Sequence, residues 1–437
     1  MGTREQIAPY LDAFHRRGAG RHEPAWLATC RNDAMECFST LGIPTRNDES
    51  WRFGDLRPLT ATAILPGAGR SDVVDAAALS AFAVPAPAHR VVLVNGRFEP
   101  SLSDMGNLPQ GAWLGSTAEA LTERPELVQA AFDRSDTAGA QAFASLNAGF
   151  FDDGIVLALD AGVMLERPVE ILHFSYAPEA LAFHMRNAIV LGAGANASVV
   201  ETFVGIGAGW SNVVTGVEVG ADARLQHVKI QDEAAEAFHI SMLRATLAQN
   251  ARVESFTATL GARLSRQDVV VDLDGEGANL AIHGVYLLRG DQEATIAPFV
   301  AHHAPNCQTN EVLKGVVDDH AHGIFLGAIT VDEGADGTDA RQLNRNLLLS
   351  TNARVDTKPE LAILADDVKC SHGATVGDLD DASVFYLLAR GIDPMTARHM
   401  LIEAFVGDVV EIAGLNGAVA DHARKHISAR LDRTEDA

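Results

Sequence analysis

From about residue 150 onward, short segments rich in Val, Ile, Leu and Thr alternate with small corners built from Gly, Asn, Asp and Ala. Six corners align on an alanine, at positions 197, 223, 251, 278, 321 and 353. The first three steps are 26, 28 and 27 residues, whereas later steps of 43 and 32 residues predict insertions in a coil. One period with polar corners is typical of a β-solenoid, whose coils bury their inner faces against one another. A β-sandwich would not keep one period and one corner composition, so the pattern predicts a solenoid.

The N-terminal part of the chain has a helical rhythm instead. Its apolar residues recur every three or four positions, at Leu27, Cys30, Ala34, Phe38 and Leu41. This spacing places them on one face of an amphipathic helix, and Gly42 followed by Pro44 supplies the stop signal.

The chain also ends in predicted helices. Asp393 has the position of a helix N-cap, and Pro394 that of the first helical residue. The predicted buried stripe of this helix consists of Ala397, Met400, Leu401, Ala404 and Phe405. A shorter helix that stops at Gly391 is predicted to pack through Val384, Leu387 and Leu388.

These patterns divide the chain into three parts. At 437 residues it exceeds the size at which a single compact core usually stops growing. We predict an N-terminal helical and mixed region at 1–145, a parallel β-helix core at 146–378 and a C-terminal helical domain at 379–437. The predicted fold class is therefore mainly β, with a solenoid core flanked by helical regions.

Charge and cysteine usage narrow the possible functions. The chain has 58 acidic against 34 basic residues, a formal charge of -24, so we expect no binding to nucleic acid or to a membrane. Four irregularly placed cysteines do not form a disulfide framework, which favours a reducing compartment. No secretory leader or membrane-spanning run is recognisable in the sequence, and we expect a cytoplasmic protein.

The common enzyme motifs are absent from the sequence. It contains no phosphate-binding P-loop, no G-x-G-x-x-G after a strand, no G-x-S-x-G, no H-E-x-x-H and no C-x-x-C. We therefore expect neither a self-contained ATPase or dehydrogenase nor a four-cysteine cluster protein. The chain is predicted not to be an enzyme by itself.

The pair Cys370 and His372 is the main candidate for chemistry. It lies in a strand-like segment, where residues two apart point to the same side. Thiolate and imidazole are both ligands of iron, so the pair could hold metal or carry sulfur. Two ligands are too few for a cluster, and a functional pair would need others from another chain or a small thiol. The alternative is a buried cysteine and a hydrogen-bonded histidine at a coil corner.

A second group has a crude metal-site spacing, with His302, His303 and Cys307 close together. Pro305 and Asn306 place the group in a loop or corner rather than on a rigid strand. We interpret it as structural.

Four stretches together resemble one known family. They are ESWRF at 49–53, VNGRF at 94–98, QLNRNLLLS at 342–350 running into DTKPEL at 356–361, and the segment 366–392 that contains Cys370 and His372. These stretches are similar to those of the SufB/SufD family of iron–sulfur cluster assembly proteins. SufB-type chains carry a cysteine where this chain has Leu387, which points to the SufD branch of the family.

The resemblance implies a right-handed parallel β-helix that pairs with a SufB-like subunit. It also implies that the C-terminal helices dock the SufC ATPase, in a region formed by Phe385, Tyr386, Arg390, Gly391 and Phe405. His372 and Cys370 would complete a cluster-assembly site shared with SufB. The iron–sulfur cluster would be transient, with no cofactor bound by the isolated chain. The sequence leaves open whether a flavin associates with the complex and whether the isolated chain forms a homodimer.

Two other functions stay open at this point. A carbohydrate-active β-helix enzyme would need carboxylates along a groove, for which Asp272, Asp274 and Glu276 are the candidates. The other possibility is a homodimeric structural β-helix without a metal role.

Overall fold

The computed structural model describes residues 4–18, 23–61, 63–67, 69, 74–132, 141–415 and 417–432. The protein is mainly β, with 41% of residues in strands and 27% in helices. The α-helices are α1 (Arg4–Gly18), α2 (Ala25–Leu41), α3 (Arg57–Thr60), α4 (Ala76–Ser80), α5 (Thr117–Glu123), α6 (Pro125–Phe132), α7 (Gln141–Phe150), α8 (Asp381–Leu388), α9 (Pro394–Ile412) and α10 (Gly417–Asp432). Short 3-10 turns lie at Glu49–Trp51 and Pro100–Leu102.

The strands of the first half are β1 (His89–Val94), β2 (Arg97–Phe98), β3 (Ala112–Ser116), β4 (Ile155–Leu159), β5 (Val169–Ala177), β6 (Ala182–Leu191), β7 (Asn196–Gly207), β8 (Trp210–Val219), β9 (Arg224–Asp232) and β10 (Phe238–Leu247). The remaining strands are β11 (Arg252–Thr259), β12 (Leu264–Leu273), β13 (Asn279–Leu288), β14 (Glu293–His302), β15 (Gln308–Val317), β16 (His322–Phe325), β17 (Ala328–Val331), β18 (Asp339–Leu348), β19 (Arg354–Thr357), β20 (Glu360–Ile363) and β21 (Lys369–Gly377).

Most strands alternate between two parallel sheets. Sheet I has the order β2-β1-β5-β7-β9-β11-β13-β15-β18-β21, and sheet II the order β19-β16-β14-β12-β10-β8-β6-β4-β3, with β17 and β20 alongside. Each coil contributes one layer to both sheets, which gives a solenoid of about 8 turns. The predicted β-solenoid with helical ends is confirmed. Strands β1 to β3, from before residue 146, also belong to these sheets, and the three-part division stays a prediction.

The corner before each strand of sheet I repeats along the solenoid. The backbone N–H after each corner donates to the preceding coil's corner carbonyl, for example Arg224 to Ala195 at 2.8 Å and Asp339 to Cys307 at 3.1 Å. The equivalent corner residues are Ala195, Ala223, Ala251, Ala278 and Cys307, all nearly or fully buried. Small side chains are required there because the chain turns tightly against the coil below.

The predicted alignment was wrong in three places. Ala197 lies inside β7, two residues beyond the true corner at Ala195. Ala321 and Ala353 precede β16 and β19, so they belong to a corner of sheet II. The apparent step of 43 residues is therefore not an insertion, because Cys307 takes the place of the alanine in that coil.

The polar composition of the corners has a backbone cause. The residue just before each buried corner residue has a positive φ, at Gly194 (69°), Asp222 (58°), Asn250 (55°), Gly277 (74°) and Asn306 (61°). Only Gly, and to a smaller extent Asn and Asp, adopt this left-handed conformation at low cost. The corners therefore repeat Gly, Asn or Asp followed by a small buried residue.

Helices cover the outer faces of both sheets. On sheet II, α7 is anchored by Asn147, whose amide donates to the carbonyls of Met185 and Asn212 at 2.9 Å each. The predicted helix that ends at Gly42 is confirmed as α2, which buries Leu27 and Phe38 and packs beside α7.

On sheet I, α9 and α10 pack against the outer face. His422 of α10 hydrogen-bonds Thr202 at 2.9 Å, and Lys314 of β15 donates to Asp408 of α9 at 2.5 Å. The N-cap at Asp393 is confirmed, since its carboxylate accepts the backbone N–H groups of Met395 and Thr396 at 3.1 Å.

The predicted buried stripe of α9 is largely wrong. The residues that are buried are Ala397, Val406, Val409 and Val410. Met400 is 43% exposed and Ala404 is exposed, because only the C-terminal half of α9 lies against the sheet. Within the described residues, no helix is both long and apolar enough to span a membrane.

Candidate functional site

Cys370 and His372 lie on β21, the last strand of sheet I. Among the described strands it pairs only with β18, in a register that sets Cys370 beside Ala340 and His372 beside Gln342. Ala340 and Gln342 are buried inside the solenoid, so the two candidate side chains continue the interior face at its open end. Cys370 is half-buried against the apolar core, whereas His372 is exposed.

The environment of Cys370 favours the neutral thiol. Burial raises the pKa of the thiol, and the nearby Asp339 carboxylate adds to this effect, against a hydrogen bond with the backbone of Ala340. Metal ligation requires the thiolate, so binding of iron would have to displace this proton.

The structure brings no further ligand to the pair. Across the described part of the chain, no three His, Cys, Asp or Glu side chains lie close enough together to hold a metal ion. The prediction that the missing ligands come from outside the chain therefore remains a prediction.

The C-terminal end of the solenoid around the pair is exposed to solvent. None of the nine residues of β21 is fully buried, and the strand's second edge has no partner among the described residues. Leu364 is 70% exposed beside it, and Ile363 and Val376 are exposed as well. An unpaired edge strand next to exposed apolar side chains is a surface suited to pairing with another chain.

The side chains of the second predicted group, His302, His303 and Cys307, lie in different surroundings. His302 is buried and hydrogen-bonds Thr309 at 2.9 Å, whereas His303 faces outward and contacts Asp332 at 2.6 Å. Burial raises the pKa of the Cys307 thiol, as expected for a corner residue of the solenoid. The three side chains do not form a common site, in agreement with the structural interpretation.

The helices predicted to dock an ATPase carry an exposed apolar surface. Phe385 is 72% and Tyr386 55% exposed, and the guanidinium of Arg390 lies 4.3 Å from the centre of the Tyr386 ring. Gly391, with φ of 85°, makes the turn that leads into α9. Phe405 is placed differently, because it is half-buried against sheet I with the Lys314 ammonium 4.4 Å above its ring.

The predicted packing of α8 is wrong. None of its residues is buried, although its sequence is strongly apolar. Val384 and Leu387 are only half-buried, and Leu388 is 37% exposed. The helix thus presents apolar side chains to solvent on a part of the molecule where the solenoid offers no surface to cover them.

Two of the three carboxylates proposed for a carbohydrate-active enzyme are engaged in contacts within the solenoid. Asp272 accepts a hydrogen bond from Arg244 at 3.1 Å and contacts His303 at 3.4 Å, and Asp274 lies beyond the end of β12. Glu276 accepts a hydrogen bond from the side chain of Asn306 at 3.1 Å.

Sequence reasoning missed two buried polar residues under His372. Glu311 and Gln342 occupy the same register position in the two preceding coils. The signal was present, because a Glu and a Gln at inward positions of predicted strands are unusual in a solenoid core.

Comparison with known proteins identifies the family. The family model "SufBD protein N-terminal region" matches residues 5–171, and "SUF system FeS cluster assembly, SufBD core domain" matches residues 174–405. An iron–sulfur cluster assembly SufBD family protein of Synechocystis is 32% identical over 410 residues, 90% of each chain. The iron–sulfur cluster assembly protein SufD of Escherichia coli is 32% identical over 375 residues, 85% of each chain.

The fold and these matches define a component of iron–sulfur cluster assembly by the SUF system. The chain belongs to the SufBD family. Its predicted resemblance to SufD is thereby confirmed.

Proposed function

We propose that this protein is a scaffold subunit of a SufBCD complex that assembles iron–sulfur clusters. It pairs with a SufB-like chain through the open end of the solenoid and docks a SufC ATPase on α8 and the first half of α9. ATP hydrolysis resides in SufC, since this sequence has no phosphate-binding loop. The proposed location is the cytoplasm, where ATP and reduced thiols are both available.

The observation that carries the proposal is the position of Cys370 and His372 on β21, an edge strand whose outer side pairs with no described strand. A sister chain that pairs with this edge would meet both donors at the interface. It would also supply the ligands that the pair lacks, since a [2Fe–2S] or [4Fe–4S] cluster takes four. The cluster is the cargo of the complex, held briefly across the interface and then passed on. In isolation, the same edge would pair with a second copy of the chain.

The docking surface and the site are connected by packed elements. Lys314 of β15 donates both to Asp408 of α9 and to the backbone carbonyl of Phe405, the latter at 2.8 Å. Strand β15 pairs with β18, and β18 pairs with β21. A shift of α9 on closure of the ATPase would thus reach the strand that carries Cys370 and His372.

The test is reconstitution of the three-subunit complex followed by the iron–sulfur absorption band. We expect His372→Ala to lower cluster formation by about 10-fold or more, as for loss of a metal-site residue, while the complex still assembles. Cys370→Ala, tested in parallel, reports whether the thiol is also required.

Ser371→Ala is the matched control. Ser371 is exposed on the same strand, but its side chain points to the opposite face. Cluster formation at the wild-type level by His372→Ala would refute the site assignment, and equal losses in both variants would point to general damage of the edge.

A further inference from the structure

One column of side chains inside sheet I ends at the candidate site. The register sets Ile282 beside Glu311, Glu311 beside Gln342 and Gln342 beside His372, in four successive coils. In parallel strands, side chains at one register position stack at the strand spacing of about 4.8 Å. The register therefore places His372 one strand above Gln342, which lies one strand above the buried Glu311.

The amide has a defined orientation. Gln342 donates from Nε2 to Glu311 Oε2 at 2.8 Å, and both side chains are at most 2% exposed. A carboxyl oxygen in this position accepts the amide N–H, so the amide oxygen points elsewhere. Gln342 Oε1 is buried and accepts no hydrogen bond from any described residue. A buried acceptor without a hydrogen-bond donor costs folding free energy. Gln342 Oε1 is such an acceptor, and it belongs to the residue beside His372 in the register.

The opposite sheet is shaped around this amide. Gly327 lies between β16 and β17, and a Cβ atom there would be 2.3 Å from Gln342 Nε2. Any larger residue would push the amide out of place. The bond to Glu311 also acts on the acid, because burial raises the pKa of Glu311 to about 7 while the Gln342 N–H opposes that rise.

We propose that Gln342 and Glu311 are positioning residues of the candidate site: the exposed side chain of His372 turns towards Gln342, whose Oε1 then accepts the ring N–H, and Glu311 holds the amide in the required orientation. The other ring nitrogen of His372 then carries the lone pair and faces the site. A ligating histidine is commonly fixed in this way by an acceptor behind it. The consequence for cluster assembly rests on the function proposed above, whereas the tautomer of His372 does not.

The first test measures the tautomer directly. The ring ¹⁵N shifts of His372 in the isolated chain, assigned with His372→Ala, are compared between wild type and Gln342→Leu at a fixed pH where the ring is neutral. We expect a single dominant tautomer in the wild type and a mixture in Gln342→Leu. The same mixture in both proteins would overturn the proposal.

The second test uses conservative rescue. Glu311→Leu removes the acceptor that orients the amide, whereas Glu311→Gln keeps a carbonyl oxygen in its place. In the reconstituted complex we expect about a 10-fold loss of cluster formation for Gln342→Leu and Glu311→Leu, and a much smaller loss for Glu311→Gln. An equal loss for both Glu311 variants would contradict an orienting role.

Asn344→Leu is the matched control for lost stability. Asn344 is also buried on β18, two residues away, but its register neighbour on β21 is Ala374. We expect this variant to keep cluster formation and the His372 tautomer even if it unfolds more easily. If His372→Ala leaves cluster formation unchanged, the proposed function fails. The tautomer measurement still decides whether Gln342 and Glu311 position His372.

Discussion

The two ends of the solenoid terminate their sheets in different ways. At the N-terminal end, the last strands β2 and β3 run antiparallel to their neighbours, and β4 is buried along its whole length. At the C-terminal end, β21 stays parallel to β18 and none of its residues is fully buried. Short reversed strands close an edge, whereas a long parallel edge strand leaves a row of backbone donors and acceptors.

The helix-covered N-terminal half of the solenoid and its open C-terminal end are therefore expected to have different roles, the first in stability and the second in association. The covered half is packed with aromatic and buried polar side chains, and the open end has exposed apolar residues beside two possible metal ligands. Solitary exposed apolar residues are ordinary on a protein surface, but a group of them beside an open sheet edge marks an interface. Substitutions should therefore change folding in the covered half and association at the open end.

The largest effect on folding is expected for Trp210→Ala. Trp210 is 1% exposed, and its ring meets those of Tyr10, Phe143 and His184 at 5.7–6.4 Å. Removing a buried tryptophan leaves a cavity and costs about 3–5 kcal/mol of unfolding free energy. Urea denaturation measures this loss, and a decrease below about 1 kcal/mol would show that the covered half can collapse around the gap.

A large effect on binding but not on folding is expected for Tyr386→Ala. The side chain is more than half exposed on α8, so its loss should change the unfolding free energy by less than about 0.5 kcal/mol. As an aromatic anchor it should weaken SufC binding by about 2 kcal/mol, which titration calorimetry measures.

Ile412→Ala is the control for that experiment. Ile412 is 49% exposed at the far end of α9, away from α8. Wild-type affinity for SufC in Tyr386→Ala would contradict docking on this surface, and a loss in Ile412→Ala alone would place the ATPase at the other end of the helix.

The comparison also explains what the sequence could predict. The solenoid was predictable because each corner demands a left-handed residue followed by a small buried one, as at Asp222 and Ala223. The position of one equivalent corner was missed because Cys307 fulfils the same steric role as alanine. Composition alone does not show that a cysteine is present for its size.

Burial at the C-terminal end was not predictable from periodicity. The stripe of α9 and the apolar face of α8 satisfy the helical pattern, yet Met400 and Leu388 are exposed. The pattern reports which residues need a partner surface and does not tell whether that surface belongs to the same chain. The pair Cys370 and His372 was found because a motif places both on one strand, whereas Glu311 comes close to His372 only through the register of the coils.

A smaller effect, confined to acid, is expected for His173→Phe. Burial lowers the pKa of His173 to about 4, and its ring stacks on Phe203 at 4.0 Å. Neither ring nitrogen hydrogen-bonds a described residue. Below the unfolded pKa of 6.5 the unfolded chain binds a proton that the native state excludes, so stability falls as pH drops towards 4.

His173→Phe should remove this part of the acid sensitivity. Between pH 7 and pH 5 the wild type should lose about 2 kcal/mol more than the variant, as measured by urea unfolding at both pH values. Parallel losses in the two proteins would mean that His173 becomes solvated before global unfolding.

The smallest effect on folding is expected for Leu364→Asp, which tests association at the open end of the solenoid. Leu364 is 70% exposed, so a charge there should change the unfolding free energy of the isolated chain by less than about 0.5 kcal/mol. Met164→Asp introduces the same charge at a residue that is 63% exposed on the loop between β4 and β5, near the covered end. An unpaired carboxylate buried in an interface is costly, so only Leu364→Asp should weaken pairing with the SufB-like chain, by about 10-fold or more in sedimentation analysis. Equal affinities for both variants would mean that the bare edge is not where the two solenoids meet.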